Sequence, residues 1–236
     1  MSDKHLSTQF DSELSDVSSR VLEIGGMVEA QLADAINALL NGSVAAADRA
    51  MASGSRVNAL EMEIDSEITS IIARRQPAAR DLRLLIAISK ATANLERVGD
   101  EAEKIARMMK TIINNGHVNR VPSAELRVEA DLAAALLRKS LDGFARLDTN
   151  LAVSILKDDD LIDIEFNGFV RKLITYLMED PRKISTSLEL LFVAKALERI
   201  GDHAKNIAEF TIYIVKGADV RHTSLDEVET TVQATN

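Results

Sequence analysis

The sequence predicts an all-α protein made of two tandem, pseudo-symmetric three-helix bundles. Three observations carry this. Apolar residues recur at steps of three, four and seven over long stretches, the spacing of one helix face. Ile88, Leu95, Val98, Ala102, Ile105, Met109 and Ile112 form one such stripe. Within it, Leu95-Glu96-Arg97-Val98-Gly99-Asp100 returns 102 residues later as Leu197-Glu198-Arg199-Ile200-Gly201-Asp202, and the match continues through Ala102/Ala204, Ile105/Ile207, Ala106/Ala208 and Ile112/Ile214. Two copies at such a period mark a duplication, not a solenoid array. The apolar content is Ala, Leu, Ile and Val: hydrophobic residues make up 46%, aromatics only 3%, and Trp is absent. That composition suits helix packing better than a sheet sandwich.

The elements follow in order. The first five residues should fray. A first helix runs from about Leu6 to Leu40 on Phe10, Leu14, Val17, Val21, Ile24, Val28, Leu32, Ala35 and Leu39. Asn41-Gly42-Ser43 stops it and caps the next. The second helix, Val44 to Arg75, carries Val57, Leu60, Ile64, Ile68 and Ile71, and Gln76-Pro77 ends it because proline disfavours helix in the residue before it. The third, Ala78 to Ile113, holds the first motif. Asn114-Asn115-Gly116-His117 is a turn cluster, and Pro122-Ser123 restarts a helix. Helices four to six span about Ser123 to Leu147, Asn150 to Met178 and Ser185 to Lys216, with Glu179-Asp180-Pro181 as the second tip. The expected units are therefore residues 1–116, 117–218 and a polar, loosely held tail 219–236. Short loops make the helices of each half antiparallel neighbours.

Composition excludes several functions. The net charge of −9 argues against a general nucleic-acid binder, whose affinity comes from neutralising phosphates. Without cysteine there are no disulfides or thiolate ligands, which fits a reducing compartment. No 18-residue apolar run spans a membrane, and Met1-Ser2-Asp3-Lys4-His5 lacks the apolar core of a signal peptide. A soluble intracellular protein is expected. There is no nucleophile triad, glycine-rich phosphate loop or HExxH. His5, His117, His203 and His222 make no Asp/Glu-x-x-His pair within a bundle helix, which disfavours a ferritin-like di-iron centre. His203 is read as a surface histidine.

The motif acids are the candidate site. Glu96 and Asp100 point ~140–180° away from the apolar stripe. Like charges four apart destabilise a helix by a few tenths of a kcal/mol, and the glycine between them costs up to ~1 kcal/mol. The chain carries this arrangement twice. Across the antiparallel second helix, Asn58 and Glu61 lie level with Glu96. In the second half, Asp159 and Asp163 lie level with Glu198 and Asp202. Paired oxygen ligands from neighbouring helices suit a hard divalent cation; the alternative is a solvated acidic face. Two alignments of helix two with helix five stay open. A 102-residue shift pairs Glu61 with Asp163, and a 105-residue shift pairs Val57 with Ile162 and Asn58 with Asp163. Arg97 and Arg199 are read as carboxylate partners that order the bundle, with phosphate oxygens as the alternative.

The doubled E-R-[IV]-G-D-x-A resembles the PhoU family of bacterial phosphate-transport regulators. Gln9-Phe10-Asp11-Ser12-Glu13-Leu14, Gly25-Gly26-Met27-Val28-Glu29, Arg75-Gln76-Pro77 with Asp81-Leu82-Arg83, Tyr176-Leu177-Met178-Glu179-Asp180 and Tyr213-Ile214-Val215-Lys216-Gly217 are similar to it as well. The resemblance implies the same tandem bundles and a cytoplasmic, non-enzymatic homodimer at the inner face of the membrane. It implies partners too: the ATPase subunit of a phosphate ABC transporter and a sensor histidine kinase, with the phosphate-starvation response held off. Because E(D)xxxD pairs carry metal clusters in such proteins, it also implies a divalent or multinuclear metal (Mn, Mg, Fe or Zn). The first half departs from the family pattern, with Gly54 where relatives often carry an acid and Asn58 opposite Glu96, so the second site is the stronger. The alternative, from another class, is a carboxylate-bridged metal store or metalloenzyme on a helical bundle.

Basic residues mark both tips: Arg74, Arg75, Arg80 and Arg83 at the first, Arg182 and Lys183 at the second. Helix C-termini favour Arg74 and Arg75 there. Arg80, Arg83, Arg182 and Lys183 are instead expected to form a basic region that docks an acidic partner or anionic headgroups.

Overall fold

Periodicity becomes seven α-helices, with no strand among the described residues, in a computed structural model that describes residues 8–116 and 123–234. His5, His117, Pro122 and the expected helix start at Leu6 lie outside them. The helices are α1 (Thr8–Asn41), α2 (Val44–Arg75), α3 (Ala79–Asn114), α4 (Arg127–Arg146), α5 (Thr149–Glu179), α6 (Ile184–Lys216) and α7 (Leu225–Gln233). Short 3-10 turns precede α4 and α6.

Local chemistry sets the ends. The Ser43 hydroxyl accepts from the Ala46 amide to start α2. Asp148 accepts from the Asn150 and Leu151 amides to start α5. Such caps contribute about 1 kcal/mol each. Gln76 and Gly217 close α2 and α6 in the left-handed region, at φ 47° and 73°. In α1, Val17, Val21, Ile24, Val28 and Leu32 are all within 1% of full burial. Each such side chain contributes ~1.5–3 kcal/mol on leaving water.

The two glycines of the repeated motif settle the alignment of the halves. A Cβ at Gly99 would meet Val57 at 3.7 Å; one at Gly201 would meet Ile162 at 2.6 Å. Val57 and Ile162 are therefore equivalent, and the 105-residue shift holds for α2 and α5. The caps Ser43 and Asp148 stand at that same shift. So do buried Ile24 and Glu129, and buried Gly54 and Asp159. The motif helices keep the 102-residue shift because α6, with 33 residues, is three shorter than α3, with 36. The glycines also let α1 and α2 approach α3, and α5 approach α6. Gln31 Nε2 uses the first approach, donating to the carbonyls of Gly99 and Ala50, both at 3.0 Å.

The halves share one core. They join along α3 and α6, which run antiparallel: Lys90 Nζ sits 5.7 Å over the Phe210 ring, Asn206 bonds Asn94 at 3.0 Å, and Arg199 reaches Glu101 at 3.1 Å. Each motif helix thus buries two faces. An antiparallel pair this long puts the two tips at opposite ends of the body, about 50 Å apart at ~1.5 Å per residue. The single basic region expected from Arg80, Arg83, Arg182 and Lys183 does not form.

The tail is also ordered differently from expectation. Ser224 and Glu227 make a reciprocal capping box, and α7 buries Val228 and Val232. Lys157 pairs with Glu229 at 2.5 Å, and Lys216 donates to the Ala234 carbonyl. A cap, two apolar residues four apart and an ion pair suffice to hold a nine-residue helix on α5.

Candidate functional site

In the second half, the approach of α5 to α6 at Gly201 brings four acids together. Asp159, on the buried face of α5, lies with one oxygen 3.4 Å from the Cβ position of Gly201. Its other oxygen accepts from Lys205 Nζ at 2.8 Å. Burial pushes the Asp159 carboxyl up, against the pull of Lys205. Glu198 Oε1 accepts from Lys195 Nζ at 2.6 Å, while its Oε2 is buried without a partner. Asp202 is pushed up to about 6, first by lost hydration and then by Glu198 and Asp159. Asp163 stands exposed beside them.

A fifth acid is not evident from the sequence. Glu129, in the first turn of α4, is 1% exposed, and neither carboxylate oxygen has a partner. Burial, with Glu198 and Glu165 nearby, raises it to about 8, so at neutral pH it holds its proton. At the 105-residue shift, Glu129 and Glu165 occupy the places of Ile24 and Leu60. The interior layer that reads Ile, Leu, Glu96 in the first bundle is all acidic in the second.

The first half assembles Glu61, Glu96 and Asp100. Glu61 is raised by burial and then by Asp65 and Asp100; Glu96 is raised by burial and then by Asp100 and Glu61. Asn58 faces solvent. Gly54 is not simply a missing acid, since Glu103 Oε2 lies 2.9 Å from where its Cβ would be. Glu103 is the counterpart of Lys205, as Gly54 is of Asp159. Where the second half sets a lysine against an aspartate, the first sets a glutamate against open backbone. The signal, a carboxylate one helical turn past Asp100, was in the sequence.

Among the described residues, no three Asp, Glu or His side chains converge on a point that could hold a metal ion. In kind the donors do fit a hard cation. They are crowded carboxylates, of which Asp159, Asp202 and Glu129 are pushed up chiefly by burial, the Glu198 Oε2 and Glu129 oxygens lack partners, and the Lys195 and Lys205 ammonium groups lie where positive charge is favoured.

Other residues depart from expectation. His203 is 6% exposed, not a surface histidine, because α3 covers that face of α6. Asn94 Nδ2 donates to the Lys90 carbonyl, which turns Asn94 Oδ1 toward His203 Nδ1 at 3.0 Å. Nδ1 therefore carries the proton, and Nε2, buried and unpartnered, carries the lone pair. Burial, then Arg199 and Arg97, push His203 down to about 4, so it is neutral. Arg199 pairs with Glu101, as the structural reading of the motif arginines expects. Arg75 grips Glu13 with two bonds of 2.9 Å. Arg83 lies against the end of α6, its guanidinium carbon 3.3 Å from the Cβ position of Gly217. Arg80 and Arg182 are exposed, and Lys183 stands 4.0 Å from Asp180.

Two fused three-helix repeats, each displaying motif carboxylates at a glycine-mediated helix approach, define a duplicated helical-bundle protein with two acidic faces. The PhoU domain description matches residues 21–109 and 126–211, one copy on each repeat. The chain belongs to the PhoU family. It is 50% identical over 97% of its length to a Burkholderia protein called a phosphate-specific transport system accessory protein PhoU homolog, of which 97% is covered. To the Escherichia coli K12 protein called phosphate-specific transport system accessory protein PhoU it is 44% identical, over 96% of this chain and 93% of that one. The crystal structure of PhoU from Pseudomonas aeruginosa superposes with a TM-score of 0.85 at 44% identity, covering 89% of this chain and all of that one. That of the phosphate transport system regulatory protein PhoU from Streptococcus pneumoniae gives 0.82 at 26% identity, over 89% and 99%.

Proposed function

We propose that the chain is a non-enzymatic regulator of phosphate uptake and signalling. It acts in the cytoplasm as a homodimer peripheral to the membrane. It links the ATPase subunit of a phosphate ABC transporter to a sensor histidine kinase and holds the phosphate-starvation response off. The observation that carries this reading is the near-full-length similarity to proteins named as accessory or regulatory components of phosphate transport. The architecture suits a coupler: tips at opposite ends offer two separate basic surfaces, Arg80 at one and Arg182 with Lys183 at the other. No helix among the described residues is long and apolar enough to cross a membrane.

The motif acids serve this role as a cation site. Asp159, Asp163, Glu198 and Asp202 would hold a divalent ion such as Mn²⁺, Mg²⁺, Fe²⁺ or Zn²⁺, with Glu61, Glu96, Asp100 and Glu103 as the weaker counterpart. A bound ion supplies charge neutralisation, drawing α5 and α6 together where their carboxylates repel. Lys195 and Lys205 hold part of that balance in its absence.

Deletion of the gene from its host, followed by measurement of phosphate-starvation gene expression in high phosphate, tests the regulatory reading. Derepression that the wild-type chain reverses, with capture of the transporter ATPase by the purified protein, supports it. Unchanged expression contradicts it and leaves a purely structural bundle, whereas metal-dependent oxidase or phosphatase turnover above that of free metal favours the metalloenzyme alternative.

A further inference from the structure

Helix α5 serves the core of its own bundle with one side and carries a second apolar stripe on the other. Ile155, Ile162, Phe169 and Leu173 are buried in the core. On the opposite side, Leu161, Ile164, Gly168, Arg171, Thr175 and Met178 follow one another at steps of three and four, the spacing by which one helix pairs with another. Leu161, Ile164 and Met178 are 46%, 61% and 80% exposed. The duplication supplies a control. At the 105-residue shift, α2 carries Arg56, Ala59, Glu63, Ser66, Ser70 and Ala73 in these places, with no large apolar side chain among them. A bundle of this kind therefore does not need the stripe to fold. One turn before Leu161, Lys157 stands in line with it and pairs with Glu229 of α7, whose Val228 and Val232 are buried. That side of α5 thus already receives one helix, and the stripe beyond it is exposed.

We propose that this stripe is the contact between two copies of the chain, with α5 lying antiparallel on α5 of the partner subunit. The proposal rests on the homodimer reading above and names its face. About a two-fold axis between Gly168 and Arg171, the stripe complements itself. Leu161 meets Met178 of the partner subunit, Ile164 meets Thr175 of the partner subunit, and Gly168 meets Arg171 of the partner subunit. Gly168 has nothing within 4 Å of its Cβ position, which leaves room for the long arginine. Charge selects the direction. Near the stripe, the charges that make no ion pair among the described residues are Asp160, Asp163 and Glu165 at the amino end and Arg171 and Arg182 at the carboxyl end, with Glu179 the exception. Antiparallel pairing sets each end against its opposite, whereas parallel pairing sets like against like. A helix contact about 26 Å long is small for a specific interface, so it dissociates in the micromolar range.

Sedimentation equilibrium of the full chain between about 1 and 100 μM is the test. Wild type should be a dimer at the upper end of that range. Ile164→Glu should weaken the dimer at least about tenfold, whereas Phe192→Glu, at an apolar position exposed on α6, should not. Circular dichroism checks that both variants fold. The absence of cysteine from the chain gives a second readout. Leu161→Cys chains mixed with Met178→Cys chains should oxidise to a covalent dimer, and neither variant alone should. A dimer that survives Ile164→Glu, or that yields no mixed bridge, overturns the proposal and leaves the homodimer reading standing through another face. A monomer at every concentration overturns both, and capture of the transporter ATPase that Ile164→Glu abolishes would then give the stripe to that partner.

Discussion

Glu129 stands where the first half carries Ile24, and no fold requirement explains the exchange. Its proton links stability to pH. In the unfolded chain it titrates near the ordinary glutamate value of 4.5, and in the folded chain near 8. Between those values the native state holds a proton that the unfolded state has lost. The contribution of Glu129 is therefore fully present below pH 4.5 and is lost as pH rises through 8, at up to about 1.4 kcal/mol per unit. Glu129→Gln and Glu129→Ile should both be more stable than wild type at pH 8, and the gap should shrink at pH 5.5. Urea unfolding at the two pH values checks this. A gap that is equal at both, or largest at the lower, would mean that Glu129 is ionised in the folded protein at neutral pH. The sequence could not disclose Glu129. An acid in a first helical turn looks like a partner of the helix dipole, and only the packing of α5 and α6 over it shows that it is interior.

At the scale of the element, helix existence, order and capping were legible, because stripe, cap and proline signals agree along the chain. Rotation was less so. α3 and α6 bury a second face against each other, so His203 and Phe210, off the first stripe, lie inside. The tail helix had its signals, Ser224-x-x-Glu227 followed by Val228 and Val232, but it is too short to stand without α5. The glycines divide by what surrounds them. Gly26 in α1 has nothing within 4 Å of its Cβ position, whereas Gly201 has Ile162 at 2.6 Å. Gly26→Ala should stabilise by ~0.5–1 kcal/mol through helix propensity. Gly201→Ala should fall short of that gain, because the fully packed Ile162 must move. Denaturant midpoints of the two variants decide; an equal gain would mean α5 does not press on the motif glycine.

For the whole molecule, the duplication was legible from the 102-residue repeat, and the 105-residue shift of the other helices was one of two options until Gly99 and Gly201 showed their neighbours. What a repeat cannot disclose is how its copies join. The antiparallel α3/α6 seam separates the basic tips and gives Arg80 and Arg83 different work. Arg83 packs on Gly217, at the carbonyl-rich end of α6, where positive charge is favoured. Arg83→Glu should destabilise the fold by about 1 kcal/mol and so lower the melting temperature. Arg80→Glu should leave melting unchanged and instead weaken capture of the transporter ATPase, less so at high salt, since exposed charges are screened beyond ~8–10 Å. Equal melting of the two variants would remove Arg83 from the seam.

The most direct test of the cation site is calorimetry of the wild-type chain with and without Mn²⁺, beside Glu198→Gln/Asp202→Asn. An ion at a hundredfold excess over its dissociation constant stabilises the folded state by ~2.7 kcal/mol, about 5–10 °C for a chain of this size. The melting temperature of wild type should rise with Mn²⁺ and fall back with chelator. The double variant should lose the rise, and in chelator it should be no less stable than wild type, because it removes the repulsion that raises Asp202. Glu96→Gln/Asp100→Asn should lose less of it. No metal-dependent shift in wild type, or the same shift in the Glu198→Gln/Asp202→Asn variant, would contradict the cation site and leave the motif acids as a solvated face.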